Sequence, residues 1–228
     1  MPERISLSVV IPTLNAADSL PATLTAVLRA RRRLDLDLVV SDGGSGDASV
    51  ALAAAAGARV VVGQAGRGGQ LRRGAEVAVG EWLLFLHADT VPAQGWAEAV
   101  AAFSAHAPDS AAYGDFCLDA DGAGARYLKT IVGWRCRLLS LPYGDQGLLV
   151  PRSLYEQIGG YRDMPLMEDV DLVRRIGRRR LQRLGVEMVT SARRYRRDGY
   201  LRRSLRNFGC LSLYFLGVSP QVLARLYR

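Results

Sequence analysis

Apolar residues in this chain come in short β-branched runs separated by stretches of helical spacing. Ile5 to Ile11 is one such run, closed by Pro12, and Leu36 to Val40 is a second, closed by the polar, glycine-rich Ser41 to Asp47. Unbroken apolar runs of this length suit parallel strands covered on both faces. Between them Leu20, Leu24, Val27 and Leu28 fall on one helical stripe, with Asp18 or Ser19 placed to cap it. Together these pieces predict a β-α-β unit.

The alternation continues with an alanine-rich helix from about Ala48 to Ala56, a strand from Arg59 to Val62, a helix near Gln70 to Val79 and a strand from Trp82 to Leu86. After Thr90 the rhythm loosens. A helix from Trp96 to about His106, a strand near Ala111 to Leu118 and a helix from Ala125 to Leu139 precede a short strand at Gly147 to Val150 and a helix at Ser153 to Ile158. The last third reads as a helix from Glu168 to Arg178, a strand around Val186 to Thr190 and an amphipathic helix from Tyr200 towards Leu216. The expected class is α/β: a mainly parallel Rossmann-like sheet with helices on both faces and a C-terminal helical extension. No repeat or low-complexity linker divides residues 1–228, so one domain is expected. It would comprise a nucleotide-binding half (1–110), an acceptor half (111–190) and a basic amphipathic tail (191–228).

Charge changes the picture only at one end. The formal net charge is +8. Residues 1–100 are nearly balanced, whereas beyond Asp171 a long series of arginines is opposed in sequence only by Glu187 and Asp198. Cys117, Cys136 and Cys210 are too few and too scattered for a disulfide framework or a zinc site, which favours a reducing compartment. No leader-like segment precedes Ile5, and the apolar stretch Cys210 to Val218 is far short of the roughly 20 residues of a membrane span. A cytoplasmic protein, free or peripheral at the inner face of the membrane, is the expectation.

Ligands of open α/β sheets bind beyond the carboxyl ends of the strands. Here those ends read Pro12-Thr13-Leu14-Asn15, Asp42-Gly43-Gly44-Ser45 and His87-Ala88-Asp89-Thr90. Two acids aimed at one crevice suit a site for a sugar hydroxyl or base edge and a cation. A dinucleotide fingerprint would put glycines directly after the first strand, where Pro12 to Asn15 stand, and no Walker loop is present.

These segments, with Gly80 to Asp89 and Gly159-Gly160-Tyr161 followed by Met167-Glu168-Asp169, resemble a family 2 glycosyltransferase of the GT-A fold, in family order and over most of the chain to about residue 175. The resemblance implies an inverting transferase that moves a sugar from a nucleotide-diphosphate sugar, a UDP-sugar above all, to an acceptor that the sequence does not identify, either a small molecule or a lipid-linked one. By the same resemblance Pro12, Thr13, Asn15 and Asp42 line the nucleoside pocket, and Asp89 is the last acid of the metal-binding D-x-D signature, holding Mg²⁺ or Mn²⁺ against the diphosphate. His87 stands where the first aspartate of that signature usually lies, a departure that leaves Asp89 as the one expected carboxylate ligand. Asp169, paired with Glu168, is the implied general base. Arg67 and Gln70 could add donors to base or phosphates, and Asp145, Gln146 and Tyr161 could meet the sugar or acceptor. A turn or core role is the alternative for each. The form of His87 to Thr90 and the tail Leu216 to Pro220 resemble a small bacterial subgroup linked to radical-SAM enzymes and arsenosugar synthesis.

The Q-x-x-R-W motif of processive enzymes is absent near Arg174 to Arg178, so single transfer is expected. Two other functions compete: a sugar-phosphate nucleotidyltransferase, which would carry a glycine- and lysine-rich signature at the first strand, and a basic protein that binds a membrane surface or nucleic acid. Nucleic acid is not an expected partner. The tail stripe Leu205, Phe208, Leu211 and Phe215 would either complete the core or a homodimer, or meet a membrane surface.

Overall fold

A computed structural model describes residues 4–227. One eight-stranded sheet runs through the molecule. Its strands in chain order are β1 (Ser6–Thr13), β2 (Asp35–Asp42), β3 (Arg59–Val62), β4 (Trp82–Phe85), β5 (Thr90–Pro92), β6 (Ala111–Leu118), β7 (Leu148–Pro151) and β8 (Leu181–Thr190). The spatial order is β3-β2-β1-β4-β7-β6-β8-β5, in which β7 and β5 run against their neighbours and the rest are parallel to one another. The helices are α1 (Leu20–Leu28), α2 (Ser49–Ala55), α3 (Arg67–Val77), α4 (Trp96–His106), α5 (Ala123–Leu139), α6 (Arg152–Gln157), α7 (Glu168–Ile176), α8 (Arg193–Asp198), α9 (Tyr200–Phe215) and α10 (Pro220–Tyr227).

The period of two along the central strands divides the core. Val10 of β1 and Leu83 and Phe85 of β4 face a layer built by α3, α6, α7, α9 and α10. Leu7, Val9 and Ile11, with Leu84, face the layer of α1, α2 and α4. Each of these side chains is essentially sealed from water, and full burial of an aliphatic side chain contributes about 1.5–3 kcal/mol. Helix α3 lies close on the sheet because Gly74 carries no side chain: a Cβ there would run into Val10 Cγ1. A third cluster joins the inner side of α5 (Leu128, Val132, Cys136) to Phe116 and Leu118 of β6.

Three elements escaped the sequence pattern. The three residues of β5 are too few to show a period, α8 is almost wholly charged, and α10 follows the expected terminal helix, which ends as α9 before Gly217. The expected cap of α1 is also corrected. The Ser19 hydroxyl turns back to the Ala16 carbonyl and Asp18 pairs with Arg193, while Pro21 in the first turn has no N–H to satisfy.

Parallel register places the carboxyl ends of β1 and β2 side by side, with Thr13 opposite Asp42. The chain leaves β4 at the same edge, where the Leu86 N–H donates to the Val10 carbonyl. Thr90 of β5 pairs with Thr190 of β8, and the Ser191 N–H donates to the Asp89 carbonyl at 3.1 Å, so the turn carrying Asp89 is stitched to the end of β8. Helix α7 is anchored by Asp171, whose carboxylate accepts from Arg175 at 2.6 and 3.0 Å and from Arg162 at 3.1 Å, while Arg175 also donates to the Ile158 carbonyl. This ties the acidic start of α7 to the Gly159-Gly160 turn. Replacing Asp171 by Ala strands a largely buried guanidinium, and urea unfolding should show a loss of about 3 kcal/mol.

Candidate functional site

The edge where β1, β2 and β4 end opens into a groove of about 660 Å³ lined by Pro12, Thr13, Asn15, Arg67, Gln70, His87 and Asp89. It continues into a cavity of about 320 Å³ whose wall includes Tyr143, Gly144, Asp145, Asp169, Arg203 and Asn207. Arg67, His87, Asp89, Ser191 and Arg194 belong to both, so the two spaces meet along that line.

Asp89 sits at the junction, partly exposed. Its backbone carbonyl is taken by Ser191, yet its carboxylate makes no hydrogen bond or ion pair with any described residue. No cluster of three or more His, Cys, Asp or Glu side chains suited to a metal exists among the described residues. The protein therefore offers a cation a partial shell: one free carboxylate at a wall open on both sides. That fits Mg²⁺ or Mn²⁺, which commonly take one or two carboxylates and complete their octahedron with phosphate and water. His87 stands beside it, and burial, followed by the charge of Arg67, pushes its pKa below the ordinary histidine range. The imidazole is thus neutral near pH 7. Its Nε2 is buried without a hydrogen-bond partner and faces Gly144.

Asp169 opens α7 and forms the far wall. Its Oδ1 accepts from the Tyr161 hydroxyl at 3.0 Å, and its Oδ2 accepts from the Gly144 N–H at 3.0 Å and lies 3.5 Å from the Arg67 guanidinium. These contacts hold the carboxylate on the cavity wall with a small exposed edge. Arg67, at the start of α3, also pairs with Glu168. Burial opposes the charge on Arg67, but Glu168 and Asp169 outweigh it and keep the guanidinium charged far beyond its ordinary range. Burial, against the pull of Arg67, raises the Glu168 carboxyl. Asp145 is likewise pushed up by burial, and its buried Oδ1 has no hydrogen-bond partner.

Several residues expected at the site are engaged within the protein itself. Asp42 is wholly buried. Its oxygens accept from the Gly44 and Ser45 N–H groups at 2.8 and 2.7 Å and from the Ser45 and Thr13 hydroxyls at 2.5 and 2.9 Å. Burial alone would raise its carboxyl, but the bonds from Ser45, Thr13 and Gly44 prevail and lower it. Thr13 and Asn15 stand in front of it on the groove. Asn15 adopts φ 50° and accepts the Gly46 N–H, which clamps the β1 loop to the β2 loop. Gln70 reaches the groove, but its amide N–H groups donate to the Thr13 and Ser41 carbonyls at 2.7 and 3.0 Å and its oxygen accepts from Gly66, so no donor is left for a base or phosphate.

Gln146 points inward: its oxygen accepts from Arg135 at 3.0 Å and its nitrogen donates to the Gly114 carbonyl, which pins the turn that presents Asp145. Tyr161 is a core residue, 4.8 Å from the Phe85 ring, and acts on Asp169 through its hydroxyl instead of stacking on a sugar. Glu168 is buried behind Arg67 and is absent from the cavity wall. Ser191, Arg203 and Asn207, which line that wall, are among the residues that sequence reasoning did not single out. Ser191 follows the carboxyl end of β8, a parallel strand, so the strand-end rule could have found it.

Comparison with known proteins bears on the family and the fold. Among curated proteins, the chain is 37% identical over 117 residues to the PGL/p-HBAD biosynthesis glycosyltransferases of Mycobacterium bovis and Mycobacterium tuberculosis. That match covers 47% of this chain and 45% of the relatives, so the chain matches just under half of their length. Among solved structures, S. aureus TarS superposes with a TM-score of 0.65 at 16% identity, over 82% of this chain and 37% of TarS. Glucosyl-3-phosphoglycerate synthase from Mycobacterium tuberculosis, solved with Mn²⁺, UDP and glucosyl-3-phosphoglycerate, gives 0.58 at 21% over 82% of this chain and 72% of its own. The mannosyltransferase PcManGT from Pyrobaculum calidifontis, in complex with GDP-Man and Mn²⁺, gives 0.63 at 19% over 82% and 57%. At such identities these structures bear on the fold, which is that of GT-A glycosyltransferases. Residues 8–162 match the model of the family described as Glycosyl transferase family 2, a stretch that ends just before Glu168 and Asp169. With that match over more than half its length, the chain belongs to glycosyl transferase family 2.

Proposed function

We propose that the chain is an inverting, non-processive transferase that moves a sugar from a nucleotide-diphosphate sugar, with a UDP-sugar as the favoured donor, to a hydroxyl presented in the cavity beside Asp169. The carrying observation is the pairing of two carboxylates across one continuous space: Asp89, free of protein partners, at the groove, and Asp169, held by three donors, on the cavity wall. The nucleoside lies in the groove against Pro12, Thr13 and Asn15, whose backbone is fixed from behind by Asp42 and Gln70. Asp89 holds a divalent cation, which when bound offsets the negative charge that gathers on the departing diphosphate. Arg67 and Arg194 line the same junction and add positive charge there.

Asp169 receives the acceptor's proton as its oxygen attacks the anomeric carbon. Tyr161, Gly144 and Arg67 leave that carboxylate little freedom to turn, which is the preorganisation a base requires. Asp145 lines the same wall and stands beside the space for a hydroxyl of the sugar or acceptor. The glycine at 144 is obligatory for steric reasons: a Cβ would strike His87 Nε2 and come within 2.7 Å of Asp169 Oδ2. The solved structures with UDP or GDP-Man and Mn²⁺ support this reading of donor and cation by likeness of fold. Family membership weighs against a nucleotidyltransferase or a purely binding role.

Thermal-shift screening against UDP-, GDP- and dTDP-sugars with and without Mn²⁺ tests the donor class. One nucleotide should stabilise only in the presence of metal, by about 2.7 kcal/mol at a hundredfold excess over its Kd. Asp89→Ala should abolish that metal-dependent shift, and a full shift in the variant would remove Asp89 from the cation site. Asp169→Asn should retain the nucleotide shift while lowering transfer by about 10²–10⁴-fold. Unchanged turnover would assign the base elsewhere. Gly144→Ala should leave a folded protein whose transfer rate falls by at least about tenfold, through displacement of Asp169.

A further inference from the structure

Large apolar side chains exposed to solvent are concentrated in one part of this molecule. Among the described residues, only Leu14, Val62 and Val79 outside 127–226 are of this kind, whereas α5, α9 and α10 together carry eleven and Leu216 follows α9. They are ordered. Ile131, Trp134 and Leu138 lie on one side of α5, and Leu201, Leu205 and Phe208 lie on one side of α9, each set at helical spacing and each residue 45–68% exposed. The two helices pack on each other, and Gly124 near the start of α5 abuts the Tyr200 ring at the start of α9. Leu211, by contrast, turns into the core beside Cys210, so the stripe that the sequence offered to core or surface divides, and its outer part stays uncovered.

Positive charge prevails around this patch. Lys129 of α5 is matched by Glu187, but Arg126 and Arg137 of α5 and Arg202 of α9 are exposed and meet no acid among the described residues, and from Gly199 onward the sequence contains only arginines among its charged residues. The nearest acid before α9, Asp198, is already engaged by Arg197, Arg203 and Arg206. Apolar stripes flanked by Arg126, Arg137 and Arg202 match the boundary between acyl chains and anionic headgroups. A second copy of the chain would bring like charges together along the same frame. No helix among the described residues is long and apolar enough to cross a membrane.

We infer that the outer sides of α5 and α9 form a docking surface for an anionic lipid bilayer, on which the protein rests without spanning it. The surface and the cavity share α9, whose other side supplies Arg203 and Asn207 to the cavity wall. A docked molecule therefore holds its cavity close to the lipid.

Sedimentation with vesicles of equal parts phosphatidylglycerol and phosphatidylcholine tests the inference. The protein should pellet with them, and much less with phosphatidylcholine alone or in high salt. The triple variant Trp134→Ser, Leu205→Ser, Phe208→Ser, altered only at exposed positions and checked for an unchanged melting temperature, should lose about tenfold or more of the partitioning. Undiminished vesicle binding by the triple variant, or wild-type protein remaining in the supernatant, would overturn the inference. So would a wild-type dimer in analytical ultracentrifugation that the triple variant dissolves and that binds no vesicles, since the surface would then belong to a second copy. None of these measurements depends on catalytic turnover.

Discussion

The site rests on the contact of Arg67 with Glu168 and Asp169, which joins residues about a hundred positions apart in the chain. Two adjacent carboxylates at the start of α7 are favoured by the helix dipole but disfavoured by burial and by each other. A guanidinium at the start of α3 faces the opposite problem, since a cation there opposes the dipole. Set against each other, the two helix ends resolve both conflicts. A buried ion pair of this kind adds little net stability after its desolvation cost. Its effect is positional: it fixes the start of α3 against the start of α7 and so holds Asp169 across the space from Asp89.

This constraint explains why so many polar residues near the site are turned away from it. A loop leaving a strand end exposes N–H and C=O groups that must be satisfied before any ligand arrives. Asp42 meets that need for the Gly43 to Ser45 turn, Gln70 for the ends of β1 and β2, and Gln146 for the turn before β7. The groove surface left to Thr13 and Asn15 is rigid because the residues behind it are fully bonded.

The period of the apolar residues made the central strands and most of the helices readable, and the strand-end rule located the groove. It could not distinguish a carboxylate that faces the groove from one buried behind it. Asp89 and Asp42 look alike in sequence, since each follows an apolar run, and only the three-dimensional count of donors separates them: four for Asp42, none for Asp89. Charge misled in the same way. The arginines after Asp171 look unopposed along the chain, yet Arg183 meets Asp115, Arg193 meets Asp18 and Arg196 meets Asp119. Long-range pairing of this sort leaves no local pattern in the sequence. Tyr161 was legible as a residue of interest but not as a prop for Asp169, because its role lies in one hydroxyl.

The replacement of the usual first aspartate by His87 has an energetic consequence for the proposed chemistry. A neutral imidazole with its Nε2 turned to Gly144 contributes no formal charge towards a cation, so Asp89 alone supplies carboxylate to it. A single carboxylate holds Mg²⁺ or Mn²⁺ weakly in water, and the diphosphate of the donor has to complete the shell. Cation and donor are then coupled ligands, each raising the affinity of the other by the same factor. In the proposed arrangement Arg67 lies at the same junction, but Glu168 and Asp169 already balance its charge, so the attraction that the diphosphate would meet there falls mainly to the cation beside Asp89.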